Sequence, residues 1–382
     1  MEFKINKDNW ERVRLIDVLT KKEENDRENA HHRFDRFLKV EHMDAESLHI
    51  KRWASQENGD EINPTFYKIF RKGQILFPTR NPHLRRTALA SFDGICGEKT
   101  LTLEPNEDFL IPKFIPFLFH SDSFYNHTTG AIVGSTNPHV RWRDVANYEF
   151  LLPPKDQQAQ LAELLWAMDE VIEREKKVLE IFNGYLETSS KYIFQVNTKR
   201  VPLIELCVES PKYGANSPST IYDNKTRYIR ITDIGEFGEL NDDKVSATVH
   251  EDKYLLTYGD FLFARTADPG RSYYYKDSDG ICSHAGYLIK FKLDIDKILP
   301  EYLYYYTRSK EFKTWINQTT RKGTLSNINA NEFSKLKIPF VDISKQKDSI
   351  QKINTIYSKL KQVRSKLESS KSLQKSLINQ VF

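Results

Sequence analysis

Gly259-Asp260-Phe261-Leu262-Phe263 repeats, 186 positions downstream, the glycine, the apolar run and the closing phenylalanine of Gly73-Gln74-Ile75-Leu76-Phe77. The same offset separates Gly94-Ile95-Cys96 from Gly280-Ile281-Cys282. At an offset of 188, Arg12-Val13-Arg14-Leu15-Ile16 is answered by Arg200-Val201-Pro202-Leu203-Ile204, and Pro112, Phe114, Ser121 and Phe124 by Pro300, Tyr302, Ser309 and Phe312. A proline closes the last apolar run of each half, Pro153 and Pro339. Matches in one order at nearly one offset mark a tandem duplication. Its period is far longer than a solenoid unit, so it predicts two similar domains rather than a stack of small repeats.

Composition agrees with two folded domains. At 382 residues, 39% hydrophobic and 29% charged, the chain has enough apolar material for two cores and is too long for one of ordinary size. Within each half, runs such as Tyr228 to Ile234, bounded by Gly235 and Gly238, and Lys99 to Leu103 alternate polar and apolar residues as half-buried strands do. Short strands mixed with loops predict α/β domains with antiparallel pairing.

Each half ends in a helical pattern. Between Lys155 and Lys199, Leu161, Leu164, Met168, Val171, Val178, Phe182 and Tyr185 form one stripe, with Glu175 as its charged interruption. Leu165, Ile172, Leu179, Leu186 and Ile193 form a second stripe, seven residues apart. The doubled face is wider than a two-stranded seam, so one side is expected against a partner helix and another against further protein. From Ser344, Ile350, Ile353, Ile356, Leu360, Val363 and Leu367 repeat the habit. Residues 341–382 carry nine Lys or Arg against three Asp or Glu, whereas 155–199 carry six against eight; opposite signs suit two helices packed together.

Several chemistries are missing. There is no Gly-x-Gly-x-x-Gly loop, no phosphate loop and no Asn/Asp-Pro-Pro-aromatic motif for holding a flipped base. Asp93, Glu98 and Lys99 lack the Glu-x-Lys spacing of a nuclease, and His31-His32 has no carboxylate cluster beside it, so no metal site is expected. Cys96, Cys207 and Cys282 are too few and too far apart for a metal site; Cys96 and Cys282, beside Ile95 and Ile281, read as small core residues. With no signal-peptide core at the N-terminus and no long apolar run, a cytoplasmic protein without membrane contact is expected.

Tyr228 to Ile234, the run Gly259 to Thr266 and its counterpart Gly73 to Pro82 resemble the signature course of target-recognition domains in the specificity subunits of type I restriction-modification systems. Leu152-Pro153-Pro154-Lys155-Asp156-Gln157-Gln158 is similar to the segment that ends such a domain and opens its helix. The second copy departs: Phe340 follows Pro339, and Gln346 lies four residues before Ile350 where Gln158 lies three before Leu161. The resemblance implies an α+β chain. Its target-recognition domains would occupy 1–152 and 200–340, separated by a spacer helix over 153–199 and followed by a distal helix over 341–382, the two helices pairing as an antiparallel coiled coil. It implies double-stranded DNA with a bipartite target as ligand, and two modification (methyltransferase) subunits held by the helices, with Leu165, Ile172, Leu179 and Leu186 as the docking stripe. Restriction subunits would join them. The methyl donor S-adenosylmethionine and the formation of N6-methyladenine would belong to the partners, leaving this chain without catalytic residues or cofactor.

Candidate DNA contacts lie in loops after the Gly-led strands. In the first half they are Arg80, Asn81, His83, Arg85 and Arg86 with Lys99; in the second, Arg265, Thr266, Arg271, Tyr273, Tyr274, Tyr275 and Lys276. Arginine can bond guanine and asparagine adenine through paired hydrogen bonds, although over half of such bonds go to phosphates. A second set precedes the terminal strand of each half: His139, Arg141 and Arg143, and Arg321 and Lys322 with Thr320 and Thr324. Two other readings fit the same residues: the recognition subunit of a related single-complex restriction enzyme, and a duplicated coiled-coil scaffold without DNA specificity.

Overall fold

The computed structural model describes residues 5–195, 199–235, 238–320 and 327–382. The chain divides into two compact units, Met1–Lys176 with Ser365–Phe382, and 177–364. The spacer and distal helices expected over 153–199 and 341–382 are present as Lys155–Gln195 and Ile343–Val381, and the division runs through both of them. Both long helices, Lys155–Gln195 and Ile343–Val381, contribute one half to each unit, because their apolar faces complete both cores.

The duplication is visible strand by strand. In the first unit Glu11–Arg14 pairs antiparallel with Glu149–Leu152, Val13 opposite Phe150; in the second Lys199–Pro202 pairs with Lys337–Phe340, Val201 opposite Ile338. Each pairing ties the start of a domain to the strand that leads into its helix. The Gly-led runs form the inner strands Ile75–Pro78 and Asp260–Ala264, paired with Thr100–Pro105 and Leu288–Lys292 so that Phe77 faces Leu101 and Phe263 faces Ile289. Gly73 and Gly259 enter these strands at φ +90° and +91°, a turn that only glycine takes without strain. Beyond these four-stranded sheets, each unit holds a parallel pair: Arg36–Leu38 with Gly94–Cys96, and Arg227–Ile229 with Cys282–His284. The expected strand over Tyr228 to Ile234 is therefore shorter. The buried Asp233 carboxylate accepts from the Arg230 backbone N–H and guanidinium, and this turns Ile231–Asp233 into a 3-10 turn.

The start of the distal helix, which differs in sequence, is attached like the first. Gln158 is buried, its Nε2 donating to the carbonyls of Phe109 and Pro153 and its Oε1 accepting from Ile111 N. Gln346 is buried likewise, Nε2 donating to Lys297 and Val341 and Oε1 accepting from Leu299 N. Every pair of these positions is 188 apart, so the departure after Pro339 leaves the helix phase unchanged. The far ends match too: the Phe382 ring meets Phe114 in the first unit, as the Phe194 ring meets Tyr302 in the second.

Within the first unit the helices run antiparallel, for Gln374 Nε2 donates to Leu165 O while Lys366 pairs with Glu175, ten residues on in one helix and eight back in the other. The stripes divide differently from expectation. Leu165 (0% exposed) and Ile172 (4%) are buried in the first unit, whereas Leu164 and Val171, one residue earlier in each heptad, are 44% and 42% exposed. In the second unit Leu179 and Leu186 are half-buried, and Val178, Ile181, Tyr185 and Tyr192 lie exposed. The docking stripe read as Leu165, Ile172, Leu179 and Leu186 is thus mostly an inward one, since the distal helix and the domain both cover that side.

Candidate nucleic-acid interface

In the first unit the two loops read separately from sequence meet. Val140 N donates to Thr79 O, Asn81 N donates to Pro138 O, and Arg80 and His139 are bridge partners. Thr79 N in turn donates to Lys99 O. Arg80, His83 and Lys99 are exposed and Asn81 half-buried, with Asn81 held in the left-handed region at φ +50° by the turn into Pro82. Such a cluster of cation, amide and imidazole groups on one edge presents donors to a polyanion and paired donor-acceptor groups to base edges.

The second unit uses the same stitching. Ile328 N donates to Arg265 O and Arg265 N to Tyr287 O, the same two bonds as Val140 to Thr79 and Thr79 to Lys99. Here the edge carries Arg265, which reaches Asn327 Oδ1 at 3.3 Å and lies 5.1 Å over the Tyr213 ring, together with Thr266. Tyr213 (42% exposed) and Tyr287 (62%) are added by the structure. Tyr287 occupies the place of Lys99 and Asn327 that of His139, signals the repeat offset already contained; Tyr213 comes from distant sequence and had none.

Other expected contacts have partners within the chain. Arg85 is held by Glu46 at 2.9 Å and Asp122 at 2.6 Å and lies over Tyr125, and Arg86 donates to Val40 O. Arg141 and Arg143 flank Asp144 at the start of a short helix. Arg271 is engaged by Asp268 and Ile234 O. Tyr273 to Lys276 do not form a loop: Ser272–Tyr274 is a strand against Asp260–Ala264, with Tyr273 and Tyr275 buried in the core behind it. Their hydroxyls reach Asp279 and the Gly280 carbonyl, Tyr274 reaches Glu301, and Lys276 donates to Gly238 O. Arg321, Lys322 and Thr324 lie outside the described residues; Thr320 ends the helix Lys310–Thr320 and bonds back to Ile316 O. Burial pushes the Cys96 thiol up to about 12 and Cys282 up to about 11, which keeps both as neutral core residues.

Two stitched edges, one on each copy of a duplicated domain with a long helix following, define a two-domain recognition protein; among the described residues neither edge carries a nucleophile-and-base constellation. The chain belongs to the family described as type I restriction modification DNA specificity domain, whose model matches residues 7–181 and 191–374. It is 22% identical over 335 residues to the type I restriction enzyme StySPI specificity subunit of Salmonella potsdam, covering 79% of this chain and 70% of that one. Its fold is similar to that of the type I restriction-modification S subunit of M. genitalium (TM-score 0.62, 16% identity, 100% of this chain and 98% of the other). It is also similar to a chain from a structure concerned with complex assembly and conformational transition of the type I R-M system (TM-score 0.59, 19% identity, 100% and 99% covered). Membership of this family sets aside the scaffold reading.

Proposed function

We propose that each unit reads one half of a bipartite DNA target through its stitched edge: Arg80, Asn81, His83, Lys99 and His139 in the first, and Arg265, Thr266, Tyr213, Tyr287 and Asn327 in the second. The observation that carries this reading is the shared pair of backbone bonds, which puts differing polar side chains at one place on two copies of a domain. A common frame with variable groups is what two different half-sites require. The catalysis belongs to partners: modification subunits bind S-adenosylmethionine and form N6-methyladenine, and restriction subunits cleave. The exposed apolar positions of the central helix, Leu164 and Val171 in one unit and Val178, Ile181, Tyr185 and Tyr192 in the other, are the surface for the modification subunits. No helix among the described residues is long and apolar enough to cross a membrane, in keeping with work on DNA in the cytoplasm. The test is long-read mapping of methylated adenines in DNA exposed to the chain with and without its modification subunits. A split target methylated only in their presence is expected; methyl transfer by the pure chain alone, or methylation without sequence preference, would refute the reading.

A further inference from the structure

The second unit contains a groove of about 1040 Å³ between the last turns of the central helix, the middle of the distal helix and the start of the helix Lys310–Thr320. Its lining is apolar in part, with the half-buried Leu186 and Trp315 above the buried Leu336 and Leu360. Its charge is one-sided. Seven Lys or Arg line it against two carboxylates: Glu311 is engaged by Arg200 at 2.6 and 3.0 Å, and Glu187 faces Lys310 at 3.6 Å. Lys191, Lys313, Lys335 and Lys337 are exposed and have no carboxylate partner among the described residues.

The first unit shows what belongs in such a groove. There the chain's own segment from Glu46 to Lys51 lies across the corresponding elements, with Leu48 buried in the core as its apolar anchor. Glu46 pairs with Lys375 and Arg85, His49 with Asp169, and Lys51 with Glu173. At the offset of 188 fixed by the two buried glutamines, Asp169 corresponds to Tyr357 and Lys375 to Glu187, both of which line the groove of the second unit, while Glu173 corresponds to Lys361. In the second unit the corresponding hairpin, bridged at Ile234 and Leu240, contributes no described residue to the lining.

We infer that this groove is a docking site for an acidic, extended peptide segment of a partner protein that inserts an apolar side chain between the helices. Unpaired lysines at a rim select carboxylates, and the apolar floor beneath them takes an anchor residue, the anatomy of a peptide groove. Duplex DNA fits less well, because protein-DNA interfaces are more polar than protein-protein ones and gain little from Leu186 and Trp315. The inference does not rest on the DNA-reading edge, which uses other residues.

The probe is a fluorescein-labelled peptide, Asp-Ala-Glu-Ser-Leu-Glu-Ile-Glu, which is residues 44–51 with His49→Glu and Lys51→Glu. Fluorescence anisotropy with the full chain should give saturable binding. The double variant Lys335→Glu, Lys337→Glu, both positions exposed, should weaken it by about tenfold or more, with an unchanged circular dichroism spectrum. Replacing the probe's leucine by serine should also weaken it, and Arg265→Ala should not. Absence of saturable binding, equal binding to the lysine variant, or equal binding of the serine probe would overturn the inference. So would a lysine variant that keeps the peptide and loses affinity for a duplex, which would assign the groove to DNA. Duplex binding measured on the same samples keeps this result apart from the fate of the DNA-reading proposal.

Discussion

Gln346→Leu should weaken the second unit specifically, and the size of the effect follows from three bonds. The buried amide donates to two carbonyls, at 2.8 Å to Lys297 and 2.9 Å to Val341, and accepts from Leu299 N at 2.9 Å. Leucine fills the volume but strands all three backbone groups. At about 1 kcal/mol net per bond, the loss comes to about 3 kcal/mol. For a unit of 188 residues (177 to 364), about 2–4 °C per kcal/mol converts this to a fall of about 6–12 °C in the unit's melting temperature. Calorimetry reads the transition, and amide hydrogen exchange at Leu299 reads the local effect directly. Gln346→Glu separates the donors from the acceptor. It keeps an oxygen for Leu299 N but turns a carboxylate toward two carbonyls, which raises its folded-state pKa, so its deficit should grow as pH rises from about 4.3, the unfolded value. Gln158→Leu should repeat the whole pattern in the first unit. If Gln346→Leu melts with the wild type and leaves Leu299 exchange unchanged, the glutamine does not attach the helix and the reasoning fails.

Arg80→Ala or Asn81→Ala should relax one half of the methylated target and Arg265→Ala the other, each bidentate base contact being worth about 1–3 kcal/mol of discrimination; an equal loss on all sequences would make these phosphate contacts. Arg271→Ala, by contrast, should lower stability and leave the target as it is, because its guanidinium is already committed to Asp268 and Ile234 O. Val178→Asp and Tyr185→Asp should leave the chain folded yet block co-purification with modification subunits, whereas Leu165→Asp buries a charge and should reduce the folded yield of the chain itself. Normal complex formation by both exposed-site variants would place docking elsewhere. The hydrogen bond that His49 Nε2–H donates to the Asp169 carboxylate raises the imidazole pKa above its ordinary value, against partial desolvation. A raised folded pKa gives stability that is full below about 6.5 and is lost as pH rises through the folded value. Asp169→Asn should therefore cost the first unit more at pH 6 than at pH 8.5, as melting curves would show; the reverse order would contradict the pairing. The buried His120 is pushed down to about 4, chiefly by desolvation; Asp169 also favours its charged form, so loss of the carboxylate there adds a cost at low pH in the same direction.

The repeat was legible because the chain preserves spacing where backbone pairing needs it. Val13 and Val201 must meet Phe150 and Ile338, and the 188-residue offset records that need. The helices were legible as helices, but not the face each stripe would take. Leu164 and Leu165 both recur every seventh residue, and only the bulk of the attached domain decides which is covered. Arginines in one loop could not be sorted either. Arg80 and Arg85 look alike in sequence, yet Arg85 is claimed by Glu46 and Asp122, each 37 or more residues away, and nothing local announces that. Tyr273 to Tyr275 misled for a different reason, since an aromatic run fits a stacking loop and a buried strand equally well, and the pairing with Asp260–Ala264 decided it.

What duplication kept and what it let go are separate things, and the function follows from the separation. The bonds Val140 to Thr79 and Ile328 to Arg265 are the same, and so are the glutamine attachments of the helices. At those preserved places the side chains diverge. Lys99 stands where Tyr287 does, Arg80 where Thr266 does, and Asp122 where Lys310 does. Backbone bonds do not depend on side-chain identity, so substitutions at the edge change the chemistry presented there, which on the proposed reading is the choice of bases, without loosening the frame that presents it. The same freedom acts away from DNA. One copy closes its helix groove with its own Glu46–Lys51 segment, while the other lines the corresponding groove with lysines. Two identical copies could read only one half-site twice; a frame fixed in backbone with chemistry left to side chains lets one chain read two.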